Sequence, residues 1–184
     1  REVYFKGYLT LDPRRYTDPV LSLVVPLVFL VIGGIPLPGG AVWIQRAALR
    51  SRAAISAVSL AGPLANLVLA AVIALAVTLT APPLPLAAAL SFLGIIQVLT
   101  FLLNLLPVPG LDGYGVLDPY LPRATRASAA RIAPYAPLAI ILLLFLLPGA
   151  SAVLVAGAAA VFGLVGGDGT LAELGNVQFA RLLG

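Results

Sequence analysis

Cysteine, histidine and methionine are all missing from this 184-residue chain, and charge is scarce. Without cysteine there is no disulfide framework, no thiolate metal site and no cysteine nucleophile, so the redox compartment leaves no mark on the sequence. Without histidine the commonest zinc ligand and general base is absent from every residue present. With no methionine and Arg1 at the start, a fragment or a processed form is expected. The opening Arg1-Glu2-Val3-Tyr4-Phe5-Lys6 is polar and mixed, unlike a signal peptide. Charged residues make up 10% of the chain against 61% hydrophobic, and the mean hydropathy is +1.08. A water-soluble enzyme needs far more polar surface than that. A porin-like barrel needs strands that alternate in polarity, and these runs are apolar throughout.

What charge there is lies in residues 1–18, 46–52, 112–131 and 168–181, which leaves 19–45, 53–111 and 132–167 without one Asp, Glu, Lys or Arg. Since about 20 apolar helical residues cross a bilayer core, the uncharged stretches are multi-span material. The expected fold is an all-α polytopic membrane protein, a helical bundle of about 4–5 membrane segments in a single domain. Residues 1–18 read as an interfacial segment with a short strand, Gly7 to Pro13. Residues 19–45 contain Pro26 and break at Gly33-Gly34-Ile35-Pro36-Leu37-Pro38-Gly39-Gly40, which fits a re-entrant element or half-span better than a crossing, with a second extended piece at 41–44. The cluster Ala81-Pro82-Pro83-Leu84-Pro85 divides the longest stretch into spans of 53–80 and 86–106, a helical hairpin. In its first arm Ala57, Ala61 and Ala65 recur beside Gly62, a face that admits a close helix. Residues 107–131 read as a cytoplasmic loop carrying a motif, 132–167 are apolar and broken at Pro148-Gly149, which suits either a tight hairpin of two short helices or one tilted long span, and 168–184 are an amphipathic surface tail.

The net charge of +4 and pI near 9.9 would point to nucleic acid in a soluble protein. Here the arginines sit between apolar segments, which fits cytoplasmic loops beside anionic lipid and no nucleic-acid partner. If 19–45 returns to the side it left, the clusters around Arg14, Arg50 and Arg126 share the cytoplasmic side and the turn at Pro82-Pro83 faces the other.

Few residues remain for chemistry. Asp112 is the one carboxylate bordering the long uncharged stretch, at the end of a predicted helix. A carboxylate near hydrocarbon is costly and therefore a functional candidate. It also suits a Pro/Gly-rich turn in which Asp bonds its own backbone, and composition supports both. Asp118, before Pro119, reads as a turn residue. Pro63, inside a helix, frees a carbonyl that the nearby Asn66 can satisfy, and on the physics alone a packing kink is the favoured explanation of the pair.

The run Ser59-Leu60-Ala61-Gly62-Pro63-Leu64-Ala65-Asn66, followed by Asn104-Leu105-Leu106-Pro107-Val108-Pro109-Gly110-Leu111-Asp112-Gly113, resembles the paired motifs of the site-2 protease family of intramembrane zinc metallopeptidases. The upstream Lys6 to Pro13 with Asp18-Pro19 is similar to the segment after the first catalytic helix of bacterial members, so the resemblance covers residues 1–120. It implies that Asp112 is the third zinc ligand and that Asn66 orients substrate or the developing oxyanion. Gly62, Pro63, Asn104, Pro107 and Gly113 would shape the two motifs. It also implies a bacterial cytoplasmic membrane, a transmembrane protein or peptide as substrate, and zinc as cofactor in the complete protein, with none held by this chain alone.

One departure is decisive: the HExxH helix, which supplies two His ligands and the general-base Glu, is absent, and Tyr16 stands where many relatives carry His. The expectation is an endopeptidase whose HExxH helix lies upstream of Arg1. The alternative is a non-catalytic descendant serving as scaffold or subunit of a membrane complex. A transporter would explain broken helices but lacks an internal repeat and leaves the motif pair unexplained.

Overall fold

The computed structural model describes residues 51–183, which belong to one compact unit, Leu49–Gly184. The expectations for 1–18 and 19–45, with their interfacial strands and re-entrant element, lie outside the described residues. Those described are mostly helical, with no strand among them.

Helix α1, Arg52–Thr80, opens at Ser51, whose hydroxyl accepts the Ala54 N–H at 3.1 Å. It runs through Pro63 and stops at Ala81, which takes a left-handed conformation with φ of 41° and donates its N–H to the Val77 carbonyl. The following Pro82 and Pro83 cannot supply the N–H groups of a continuing helix, so the chain turns and restarts as α2, Leu84–Asn104. These two helices, of 29 and 21 residues, are long and apolar enough to cross a membrane. Threonine hydroxyls are satisfied within the helix, as lipid demands: Thr78 donates to the Ala74 carbonyl and Thr100 to the Ile96 carbonyl.

Beyond α2 the chain forms α3, Asp112–Leu117, a 3₁₀ turn at Asp118–Tyr120, and the arginine-bearing α4, Arg123–Ile132. A second 3₁₀ turn, Ala133–Tyr135, leads into α5, Ala136–Leu146, and then come α6, Ala150–Leu164, and α7, Gly169–Leu183. The break between α5 and α6 falls at Pro148-Gly149, where Gly149 has φ of +86° and so permits the reversal. The stretch 132–167 is therefore carried by two short helices joined at that break.

Helix α2 is central, flanked by α1, α6 and α7. Its buried positions are small: Ala87, Ala88, Ser91, Gly94 and Val98 recur every three or four residues, and the bulkier Phe92, Ile95 and Leu99 lie beside them. Small side chains let partners approach closely. The ring of Phe162 from α6 fills the space over Gly94, where an added Cβ would come within 2.6 Å of it, and also lies against Gly167. Phe162 is fully buried, in a core shared with Ala70, Ala74, Val98, Ala158 and Ala172.

Residues 168–183 carry the last helix of the bundle. Asp168 accepts the N–H groups of Thr170 and Leu171, capping α7, and α7 then packs along α2. Gly175 rests on the Ala88 backbone and Phe179 stacks obliquely on Phe92, their ring centroids 5.7 Å apart. An amphipathic pattern fixes one apolar face but not what covers it.

Candidate functional site

The two motifs meet where α3 lies against α1. The glycine-proline motif sits in the first half of α1, where Pro63 is buried and has no N–H to offer the Ser59 carbonyl. Along one face, at spacings of three and four, run Ser56, Ser59, Pro63 and Asn66, with Gly62 beside them. The leucine-aspartate-glycine motif forms the entry to α3, with Asp112 as its first residue. Gly110, just before it, takes φ of +102°, and an added Cβ there would come within 2.8 Å of the Ala133 carbonyl oxygen. That seats the loop against the turn leading to α5.

Asp112 reaches back to α1. A Cβ placed on Gly62 would lie 3.2 Å from Asp112 Oδ2, so only glycine leaves the carboxylate full access to the helix backbone at that point. On the other side, Gly113 lies against the carbonyls of Leu105 and Leu106, where a side chain would collide with backbone. The C-terminal half of α3 is fastened to the first turns of α1. The Ser56 hydroxyl donates to the Val116 carbonyl at 2.7 Å, and Gly115 sits directly on Ser59, whose Oγ would be 2.6 Å from a Cβ at that glycine.

Asp112 is half-buried, and the loss of water pushes its carboxyl above the ordinary carboxylate value. A bound cation would reverse that preference. An anionic oxygen donor at the edge of a helical bundle suits one zinc ligand, but a catalytic zinc needs about three protein ligands. Among the described residues no group of three or more His, Cys, Asp or Glu could hold a metal, and the sequence contains neither His nor Cys. The residues present thus fit part of a zinc site.

The sequence-derived candidates fall as follows. Gly62 and Asp112 are brought together, and Asn66 lies half-buried one turn along α1 from Gly62. Asn104 is the half-buried last residue of α2, and Pro107 is exposed in the connection to α3. The small-residue face differs from expectation: Ala57, Ala61 and Ala65 are exposed, and α3 packs instead on the adjoining face with Ser56, Ser59 and Gly62. Small residues permit close approach without selecting a partner, whereas a hydroxyl aimed at a carbonyl selects one.

Asp118 is more than a turn residue. It is buried, and its Oδ1 lies 3.5 Å from Arg126 Nε, tying the end of α3 to α4. Sequence reasoning passed over Ser56, Ser59 and Gly115. Their only sequence signal is the three-residue spacing of Ser56, Ser59 and Gly62 upstream of a helix proline.

No family model and no solved structure matches the chain. Curated proteins do. It is 47% identical over 131 residues to "Putative zinc metalloprotease Rip2" of Mycobacterium tuberculosis, covering 68% of this chain and 49% of that protein. It is 47% identical over 123 residues to the protein of the same name from Mycolicibacterium smegmatis, covering 66% of this chain and 47% of that one. It is 34% identical over 133 residues to "Putative zinc metalloprotease YwhC" of Bacillus subtilis, covering 66% of this chain and 57% of that one. The chain spans about half the length of the curated relatives it matches. With two helices fit to cross a membrane and the paired motifs joined at Gly62 and Asp112, this membrane protein belongs, with these relatives, to the site-2 protease family.

Proposed function

We propose that the protein is an intramembrane zinc metalloendopeptidase that cleaves membrane-embedded peptide bonds, with Asp112 as its third zinc ligand. The observation that carries this reading is the seat of the Asp112 carboxylate on Gly62, which joins the two motifs at one point. Zinc, when bound, supplies Lewis-acid polarisation of a peptide carbonyl and an activated water at neutral pH. Asp112 offers an anionic oxygen whose half-burial favours pairing with a cation over hydration. Asn66, one turn beyond Gly62, carries amide N–H groups suited to a carbonyl oxygen that gains negative charge. Gly62 opens the approach to α1 and Pro63 shapes the helix around it. The two His ligands and the general-base Glu come from protein outside these residues, in an HExxH helix. The partners are the lipid bilayer and a transmembrane protein or peptide substrate.

The deciding measurement is zinc content and peptide cleavage by the natural full-length protein in detergent or liposomes. The expected result is one zinc per molecule, lost together with cleavage in Asp112→Asn. Stoichiometric zinc in the Asp112→Asn protein refutes the ligand assignment. A zinc-free, inactive full-length protein moves the reading to a scaffold or subunit of a membrane complex.

The same reading places the loops around Arg14, Arg50 and Arg126 on the cytoplasmic side of a bacterial cytoplasmic membrane. Single cysteines at Ser51, Thr80 and Ser128 test it in this cysteine-free chain. Position 80 should label from the side opposite to 51 and 128, and labelling of 80 and 128 from one side rejects the arrangement.

A further inference from the structure

We infer that Ser56 and the Ser59/Gly115 contact are positioning elements that hold the Asp112 carboxylate in its seat on α1; the inference deepens the reading of Asp112 as a zinc ligand and rests on it. Helix α3 has six residues, far too few to be stable or oriented by themselves. Its direction must come from what it touches.

The contacts form an antiparallel register. Val116 meets Ser56, Gly115 meets Ser59, and Asp112 meets Gly62, so the numbering falls along α3 as it rises along α1. The first contact is a hydrogen bond of 2.7 Å, which sets the register through its direction. In the second, a Cβ on the glycine would come within 2.6 Å of Ser59 Oγ and 3.1 Å of its Cβ, so the glycine lets the helices approach to the separation seen. The third is then determined. On an adjoining side Gly113 rests on the Leu105 and Leu106 carbonyls, which restricts how α3 can yield. Metal–ligand distances tolerate deviations of about 0.2 Å, and α3 is only about 9 Å long. A displacement at Gly115 is therefore carried to Asp112 nearly undiminished.

The test uses the full-length protein with Gly115→Ala, Gly115→Ala/Ser59→Gly, Ser56→Ala and Asp112→Asn. The first readout needs no zinc: Gly62→Cys with Asp112→Cys is introduced, and the rate of oxidative cross-linking between the two positions is measured. Gly115→Ala should slow cross-linking, and adding Ser59→Gly, which removes the obstructing side chain, should restore it. Ser56→Ala should slow it less. The second readout, with Asp112 intact, is zinc affinity by chelator competition. Gly115→Ala should lower it by about 10- to 100-fold, the range found for groups that orient a metal ligand, and the double substitution should recover it.

Unchanged cross-linking in Gly115→Ala overturns the inference, and so does failure of Ser59→Gly to rescue. Zinc affinity indifferent to Asp112→Asn overturns the ligand reading instead, while the cross-linking result still reports on the register.

Discussion

Where α3 meets α1 the contact is made by hydroxyls, glycines and one half-buried carboxylate, whereas α2 is gripped by α6 through the Phe162 ring over Gly94 and by α7 through Gly175 on the Ala88 backbone and Phe179 on Phe92. Both are close approaches made possible by a missing side chain, yet they do different jobs. The ring of Phe162 over Gly94 and Gly167 is non-directional and fills volume, so it holds helices together without defining any single atom to a fraction of an ångström. The Ser56 hydroxyl on the Val116 carbonyl and the close fit of Gly115 on Ser59 fill little volume and fix a direction. The protein thus separates the packing that keeps the bundle together from the contacts that aim its one candidate ligand.

That separation is open to challenge by substitution. The largest effect on stability should come from Phe162→Ala, which empties a fully buried site between α2 and α6. A loss of about 3 kcal/mol is expected, by analogy with large-to-small changes in cores, read by denaturant titration in detergent; a loss below about 1 kcal/mol would mean the ring is not the centre of that packing. Gly175→Ala should come next. Its new methyl would collide with the Ala88 carbonyl and the Phe92 Cβ, forcing α7 away from α2 at a cost of about 1–3 kcal/mol. Limited proteolysis should then release the C-terminal segment sooner, and unchanged protection would contradict the packing of α7 on α2.

The smallest effect on stability should come from the residue that matters most for the proposed chemistry. Asp112→Asn replaces a carboxyl that burial disfavours in its charged form. The sign follows from linkage: a folded-state value above the unfolded one means that ionisation works against folding at this position. The metal-free Asp112→Asn protein should therefore melt at the same temperature as the parent or higher at neutral pH, with any advantage shrinking as pH falls into the carboxyl range. A clear drop in melting temperature would show that Asp112 serves the fold, and would merge the two regions that the structure separates.

Much of the backbone was legible before any coordinates. The Pro-rich cluster at 81–85 announces the turn between α1 and α2, because proline offers no N–H to continue a helix. The apolar span read at 86–106 announces α2, which ends at Asn104, and Pro148-Gly149 announces the break that falls between α5 and α6. Asp112 stands out as the one carboxylate bordering so long an uncharged stretch, though composition alone supports a turn role as well as a functional one. Less legible was which face of α1 would be used. Alanines at every fourth position mark a face that admits a partner, but the serines one step around the helix provide the directional contact that chooses it. Asp118 reads only as a turn residue for a similar reason: its burial and its link to Arg126 depend on α4 folding back, which Asp-Pro does not encode locally.

By itself, then, the sequence determined the mostly helical membrane character of the described residues, the positions at which helices must stop, and the two motifs that set this chain among its relatives. These follow from local chemistry: hydropathy over a span, the missing N–H of proline, and residue types at fixed spacing. Only the tertiary structure decided that α7 lies along α2, that Phe162 fills the space over two glycines, and that α3 sits in register on α1 with Asp112 at Gly62. Each of these joins residues far apart in the chain. Periodicity gives a helix a face, but what covers that face is settled by shape and hydrogen-bond geometry between surfaces that meet only once the chain has folded.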